Sequence, residues 1–291
     1  MPKIPINEYG YFYDFRHVEV SDLNTYTNGI KEIQDRKLDG LIIRGVLTKE
    51  EIKIIRDHID KQKEDDRYKV RTGYTFPMAY FDADKNVGED NPFENNFREW
   101  KKWKDQFAVL FGIDIEARIT SIMQQMSGGK EVIILPGPKD IGSYIPATIR
   151  VFHPYLGGIP VHCGNMFEEM LPTLYSDLMS KVITENQMSY FIQLQNPQRG
   201  GELTIYDLEW ELGQKSFEED KIRLVDGNVI DTSIEGSIEK FSLKINPGDM
   251  LIFAAGQIWH RVETPLGKSD RITVGGFLGF TKDGHSLTYW S

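Results

Sequence analysis

Apolar residues recur along this chain in two rhythms, and the change from one to the other near residue 131 divides the sequence. Before that point the spacing is mainly helical. Ile52, Ile55 and Ile59 put an apolar stripe on one face of a helix. Thr48-Lys49-Glu50-Glu51 supplies its start, because the threonine can accept from an otherwise unpaired amide while the last glutamate reaches back. Phe97, Trp100, Phe107 and Leu110 mark a second helical stretch, and Ile115, Ile119, Ile122 and Met126 a third, stopped by Ser127-Gly128-Gly129. One short β-rich run, Leu41 to Val46, lies among them. Residues 66 to 93 are polar and punctuated by Gly and Pro, which predicts an irregular lid with Phe76 and Met78 over a substrate.

From residue 131 onward the runs are short, β-rich and separated by turn residues. Strands are expected at Glu131 to Leu135, Ala147 to Phe152, Ile159 to His162, Ser189 to Leu194, Glu202 to Tyr206 and Ile222 to Val225. More follow at Val229 to Asp231, Phe241 to Ile245, Met250 to Phe253, His260 to Thr264 and Arg271 to Phe280. Asp226-Gly227-Asn228 and Pro247-Gly248-Asp249 are tight reversals. Helical patterning returns only between Asn165 and Thr184. So many short strands joined by turns predict a mixed α/β chain with a double-stranded β-helix, or jelly-roll, core that can hold a cofactor between its sheets. No linker or repeat interrupts residues 1 to 291, so one domain is expected, with 1–130 as helical buttress and lid and 131–291 as the core.

Charge narrows the partners. Forty-four acidic against 34 basic side chains give a net charge of −10, which excludes a general binder of the nucleic-acid backbone. The start of the sequence carries no apolar signal core, and no apolar run is long enough for a bilayer, so no membrane partner is expected. One cysteine cannot form an internal disulfide, which points to reducing, cytoplasmic surroundings.

The chemistry concentrates on Ile159-Pro160-Val161-His162-Cys163-Gly164-Asn165, then on Trp259-His260-Arg261 and Arg271-Ile272-Thr273. A lone histidine at a strand end is commonly just a hydrogen-bonded residue. Two histidines on separate strands followed by an arginine eleven residues on resemble the layout of non-haem iron oxygenases that use 2-oxoglutarate, where two histidines and a carboxylate hold the metal. In an extended chain, residues i and i+2 face the same way. The carboxylate is therefore expected at position 164, where this chain has glycine. The missing negative charge then has to come from an external anion, and chloride suits the space.

Over nearly its whole length the sequence resembles the carrier-independent iron/2-oxoglutarate halogenases of hapalindole-type and welwitindolinone-type alkaloids. The likeness is carried by Leu38-Asp39-Gly40-Leu41-Ile42-Ile43-Arg44, Pro146-Ala147-Thr148-Ile149-Arg150 and Val161-His162-Cys163-Gly164-Asn165. It continues through Ser189-Tyr190-Phe191-Ile192, Gly200-Gly201-Glu202-Leu203, Gly248-Asp249-Met250-Leu251, Gly275-Gly276-Phe277 and Tyr289-Trp290-Ser291. The resemblance implies Fe(II), 2-oxoglutarate, chloride and O2 as cofactors, with His162 and His260 on the metal. It implies Arg271, aided by Thr273, on the distal carboxylate of 2-oxoglutarate, and Arg150 is expected near the metal, behind its ligands, as a further cofactor-binding residue. Ser189 matches a serine thought to turn the iron-bound oxygen away from the substrate radical, so that chlorine is transferred instead. Ile159 is expected to touch the substrate, while Cys163 points away as a small buried residue. Glu168 and Glu169 are the nearest acids that could supply a ligand instead. The expected substrate is a freestanding small molecule, with indole alkaloids as the class suggested and no carrier protein. A 2-oxoglutarate hydroxylase with an unusual two-histidine site, and a jelly-roll binding protein without catalysis, are the competing readings.

Overall fold

The computed structural model describes residues 11–80, 92–104, 106–107, 111–137, 142–170, 172–215 and 220–291. In chain order its elements begin with β1 (Phe15–Glu19), α1 (Gly29–Gln34), β2 (Gly40–Arg44), α2 (Lys49–Lys61), β3 (Tyr68–Val70), β4 (Gly73–Phe76), α3 (Pro92–Lys104) and α4 (Ile115–Met126). Then come β5 (Glu131–Ile134), β6 (Thr148–Phe152), β7 (Ile159–His162), α5 (Asn165–Met170), α6 (Pro172–Lys181), β8 (Met188–Gln195) and β9 (Leu203–Glu209). The chain continues with β10 (Gly213–Lys215), β11 (Lys221–Leu224), β12 (Val229–Asp231), β13 (Lys240–Leu243), β14 (Met250–Phe253), β15 (Ile258–Val262), β16 (Arg271–Phe280) and β17 (Ser286–Trp290). Among the described residues no helix is long and apolar enough to cross a membrane.

Two sheets carry the architecture. The larger runs β1-β2-β14-β8-β16-β6-β4-β3, with β17 and β5 joined through β16, and the smaller runs β13-β9-β15-β7. At the centre of the larger sheet, β16 pairs with β8, β6 and β17, and nine of its ten residues are buried. A strand covered on both faces has no reason to alternate, which is why Arg271–Phe280 is apolar after its first few residues.

The helices form as their stripes dictate. Thr48 Oγ1 accepts from the Glu51 amide at 3.1 Å and Glu51 returns a contact to the Thr48 amide at 2.8 Å, so the start of α2 is capped both ways. Ile52, Ile55 and Ile59 are buried beneath it. In α4 the buried residues include Ile115, Ile119, Ile122 and Met126, and Asp114 caps the N-terminus by accepting from Ala117 N at 2.8 Å. The single helical stretch expected between Asn165 and Thr184 is two helices, the second opening with Pro172, whose missing N–H is harmless in a first turn.

The first part of the chain is richer in strands than its pattern suggests. Phe15–Glu19 pairs in parallel with β2, and β3 and β4 form a hairpin that extends the large sheet across β6, with Thr75 opposite Arg150. The stretch containing them is thus not an irregular lid as far as residue 76. Phe76, expected over a substrate, is 2% exposed and packs edge-on against Trp103 with ring centroids 4.8 Å apart. Met78 lies against a separate buried cluster around Tyr80, Trp100 and Tyr144, and its carbonyl accepts from Trp100 Nε1 at 2.9 Å. Both side chains pack against buried neighbours. Residues 81–91 and Leu110, which fall in the expected lid and second helix, lie outside the described residues.

Candidate active site

Between the two sheets is a cavity of about 170 Å³. It is walled from the large sheet by Ser189 and Phe191 of β8, Phe253 of β14, Arg150 of β6 and the Arg271, Thr273 and Phe277 side chains of β16. His162 and Ile159 of β7, Leu203 of β9 and His260 and Val262 of β15 face them. Eight residues singled out from the sequence therefore share one cavity: Arg150, Ile159, His162, Gly164, Ser189, His260, Arg271 and Thr273. Phe76 and Met78 are not among its walls.

The histidines meet because they are register partners on adjacent antiparallel strands. Their ring centroids are 4.2 Å apart. His162 Nδ1 lies 2.7 Å from the Pro160 carbonyl and His260 Nδ1 2.8 Å from the Ile258 carbonyl. A carbonyl can only accept, so both Nδ1 atoms carry a proton, which leaves Nε2 of each ring as the atom that could meet a metal. Burial, reinforced by the neighbouring His162, drives the His260 pKa well below the ordinary imidazole value. The ring is thus held neutral, the form that ligates.

A bulge shapes the same strands. Three steps along β7, from Ile159 to His162, match only two along β15, from Val262 to His260. Strict alternation would turn Ile159 away from His162; the extra residue brings both onto the cavity wall.

Among the described residues no acidic side chain lines the cavity, and no group of three or more His, Cys, Asp or Glu is placed to hold a metal. Glu168 is directed elsewhere, accepting from Thr184 Oγ1 at 3.0 Å. Gly164 lines the cavity, but the reason differs from the expected alternation: β7 stops at His162, and Gly164 sits in the turn leading into α5. Its amide donates to Ala255 O at 2.7 Å, and its carbonyl accepts from Gln187 Nε2 at 3.1 Å. A Cβ added there would come within 2.9 Å of that nitrogen and 3.1 Å of Gly256 Cα. The buried Gln187, which the sequence does not single out, thus packs on the side toward which a side chain at 164 would project. Nothing in an apolar-polar pattern marks it. Cys163 turns into a buried cluster with Val161 and Trp259, where burial pushes its thiol up to about 12.

The other end of the cavity is cationic. Arg271 is 4% exposed, and its one hydrogen bond among the described residues runs from Nε to Gly201 O at 2.7 Å. Its terminal nitrogens have no hydrogen-bond acceptor among the described residues. Burial and the nearby Arg150 charge push the guanidinium down to about 10, which leaves it charged near neutrality and in need of an anion. Thr273 is two residues along the same strand face and directly opposite Arg150. Apolar residues dominate the walls between the ends. Of these, Phe167, Leu203, Phe253, Val262 and Phe277 were not anticipated, because apolar lining and apolar core have one sequence signature.

These groups fit an iron and a 2-oxo dicarboxylate: two imidazoles at one end, each with Nδ1 tied to a backbone carbonyl, and a buried guanidinium at the other. They fit a protein carboxylate ligand poorly, since none faces the cavity.

Residues 12–291 match the family described as "Carrier-protein-independent halogenase WelO5". Among solved structures, an N-substituted L-amino acid dioxygenase from Burkholderia ambifaria AMMD in complex with alpha-KG is similar at 16% identity and TM-score 0.56. The match covers 90% of each chain. A second structure of that dioxygenase gives 16% identity, TM-score 0.53 and the same coverage. These likenesses establish a shared fold. No curated protein sequence matches the chain.

Proposed function

The chain belongs to the carrier-protein-independent halogenase family, non-haem iron and 2-oxoglutarate enzymes, and from that premise we propose that it chlorinates an unactivated aliphatic carbon of a freestanding small molecule. Indole alkaloids are the proposed substrate class. The observation that carries the reading is one cavity with two paired histidines, no acidic wall residue among the described residues and a buried arginine whose one hydrogen bond there goes to a backbone carbonyl. The finer architecture we propose for the two sheets is a double-stranded β-helix.

When bound, iron(II) with 2-oxoglutarate and O2 supplies the oxidant that removes a hydrogen atom, and metal-held chloride supplies the halogen. His162 and His260 would hold the metal through Nε2, each fixed in rotation by its Nδ1–H bond to a backbone carbonyl. Arg271 would take the distal carboxylate of 2-oxoglutarate in its guanidinium fork, with the Thr273 hydroxyl as a further donor. The complex of the similar dioxygenase with alpha-KG supports a co-substrate of that kind. Arg150, across the rung from Thr273, adds positive potential to the same end.

Gly164 contributes by presenting no acid group, so the coordination place a carboxylate would occupy is left to a halide. Ser189 is the hydroxyl among apolar neighbours at the histidine end, opposite both Phe253 and Phe277 in the sheet register. From there its hydroxyl would donate a hydrogen bond at the metal end of the cavity and so would favour chlorination over hydroxylation. Ile159, Phe167, Leu203, Val262 and Phe277 exclude water and suit a largely apolar, uncharged substrate.

The test is product analysis with the reconstituted enzyme, scanning indole alkaloids in buffers with and without chloride. The expected outcome is a product with the chlorine isotope pattern that disappears without chloride. A hydroxylated product formed equally well in both buffers would replace the halogenase reading with a hydroxylase. No succinate from any candidate would favour a binding protein.

A further inference from the structure

Arg271 closes a second cavity as well as the first. This one, about 260 Å³, meets the site at Phe191, Leu203 and Arg271, which line both. Its character is different. Gln193, Leu203 and Arg271 form a buried floor, while Asn196, Arg199, Lys244 and Asn246 stand exposed at its rim. Among the described residues three cations, Arg199, Lys244 and Arg271, line it against one carboxylate, Glu202.

The loop over the cavity is seated by two glycines in the left-handed region, Gly200 at φ 66° and Gly201 at φ 75°. A Cβ on Gly200 would fall 2.1 Å from Thr264 O, and one on Gly201 3.2 Å from Arg271 Cδ. That close approach puts Gly201 O on Arg271 Nε and leaves the terminal guanidinium nitrogens for something else.

We infer that this second cavity is a separate port for short dicarboxylates, through which the co-substrate reaches Arg271 and the shortened dicarboxylate leaves. The inference rests on the reading of Arg271 as the carboxylate anchor. A dicarboxylate spanning from the histidines to Arg271 has its far end against this cavity, whereas an organic substrate lies on the apolar walls of the first. Were the first cavity the sole route, a bound substrate would trap the dicarboxylate beneath it. The port removes that constraint and lets the two ligands exchange independently. Charge supports the direction of traffic: a chain of net charge −10 repels a dianion, and Arg199 and Lys244 supply a local attraction at the rim.

The experiment reverses the rim charges in the double variant Arg199→Glu/Lys244→Glu. Both positions are exposed, and unchanged thermal unfolding would verify the fold. Binding of 2-oxoglutarate to the iron-loaded protein is followed under nitrogen by stopped-flow tryptophan fluorescence. A control double variant, Lys37→Glu/Lys282→Glu, makes the same change in net charge at exposed positions beyond the opposite ends of the strands. The expected result is an association rate about 10-fold lower than wild type at low ionic strength, converging at high salt, with the control near wild type. A rim variant that associates as fast as wild type, or no slower than the control, overturns the port. Arg271→Gln separates the two ideas. If that variant binds 2-oxoglutarate at wild-type affinity, the anchor reading falls; if it loses affinity while the rim variant associates normally, the port alone falls.

Discussion

At one end of the cavity His162, His260 and Ser189 offer no acid group; at the other, Arg271 offers a buried positive charge whose one hydrogen bond among the described residues goes to a backbone carbonyl, with Glu202 acting on it only through its charge. Each end is incomplete, and the deficits differ. Around a bound metal the histidine end needs an anion to balance the ion, whereas the arginine end needs one to balance the protein itself. A folded chain tolerates the second state because desolvating a guanidinium costs less when its site can admit water or a small anion. The lesson is that the cavity is built to be completed by ligands carrying negative charge, with geometry deciding which goes where.

The comparison breaks most completely if a histidine is removed. In His260→Ala the metal should bind at least ~100-fold more weakly, since even losing a group that merely orients a ligand costs about 10- to 100-fold; competition with a chelator measures this. Retained affinity would place the metal elsewhere. At the opposite end, Arg271→Gln should raise the KM for 2-oxoglutarate about 100-fold, the effect of losing a buried charged contact worth about 3 kcal/mol, with metal affinity little changed. Equal damage to both quantities would mean the ends are not separable.

Gly164→Asp sharpens the contrast by supplying the histidine end with its own charge. We expect hydroxylated product to exceed chlorinated product, and the product ratio at fixed chloride checks it. The substitution must displace Gln187, whose Nε2 would lie 2.9 Å from the new Cβ, so some loss of thermal stability should accompany it. Undiminished chlorination would show that position 164 does not govern the halide. The smallest effect is expected from Ser189→Ala, which removes one hydroxyl: the chlorinated-to-hydroxylated ratio should fall about 3-fold, the scale of a single hydrogen bond, while total oxidation persists. An unchanged ratio would remove Ser189 from the steering role.

The β-rich half of the chain was legible in its sequence because its strands are bounded by turn residues: Ile159–His162, Val229–Asp231, Met250–Phe253 and Arg271–Phe280 have the expected ends. The first part was less so. Phe15–Glu19 and Gly73–Phe76 are short, and what makes them strands is pairing with β2 and β6, information that lies elsewhere in the chain. The same limit misassigned Phe76, since an aromatic residue in a polar stretch looks like a lid whether it covers a ligand or anchors a core. At the site, His162, His260 and Arg271 were identifiable by type and spacing, and Ser189 and Arg150 by the family resemblance. The β7–β15 bulge that turns Ile159 inward and the Gln187 amide behind Gly164 were not, because both arise from contacts between distant segments.

One consequence concerns mechanical security. Strand β7 is the outermost member of the four-stranded sheet, and it contains Pro160, which can donate nothing to a neighbour. Its last residue, His162, faces His260 across a single rung. An ion shared by that pair would rivet a weakly held margin to the strand inside it, and chelation would leave that margin the first part of the sheet to fray.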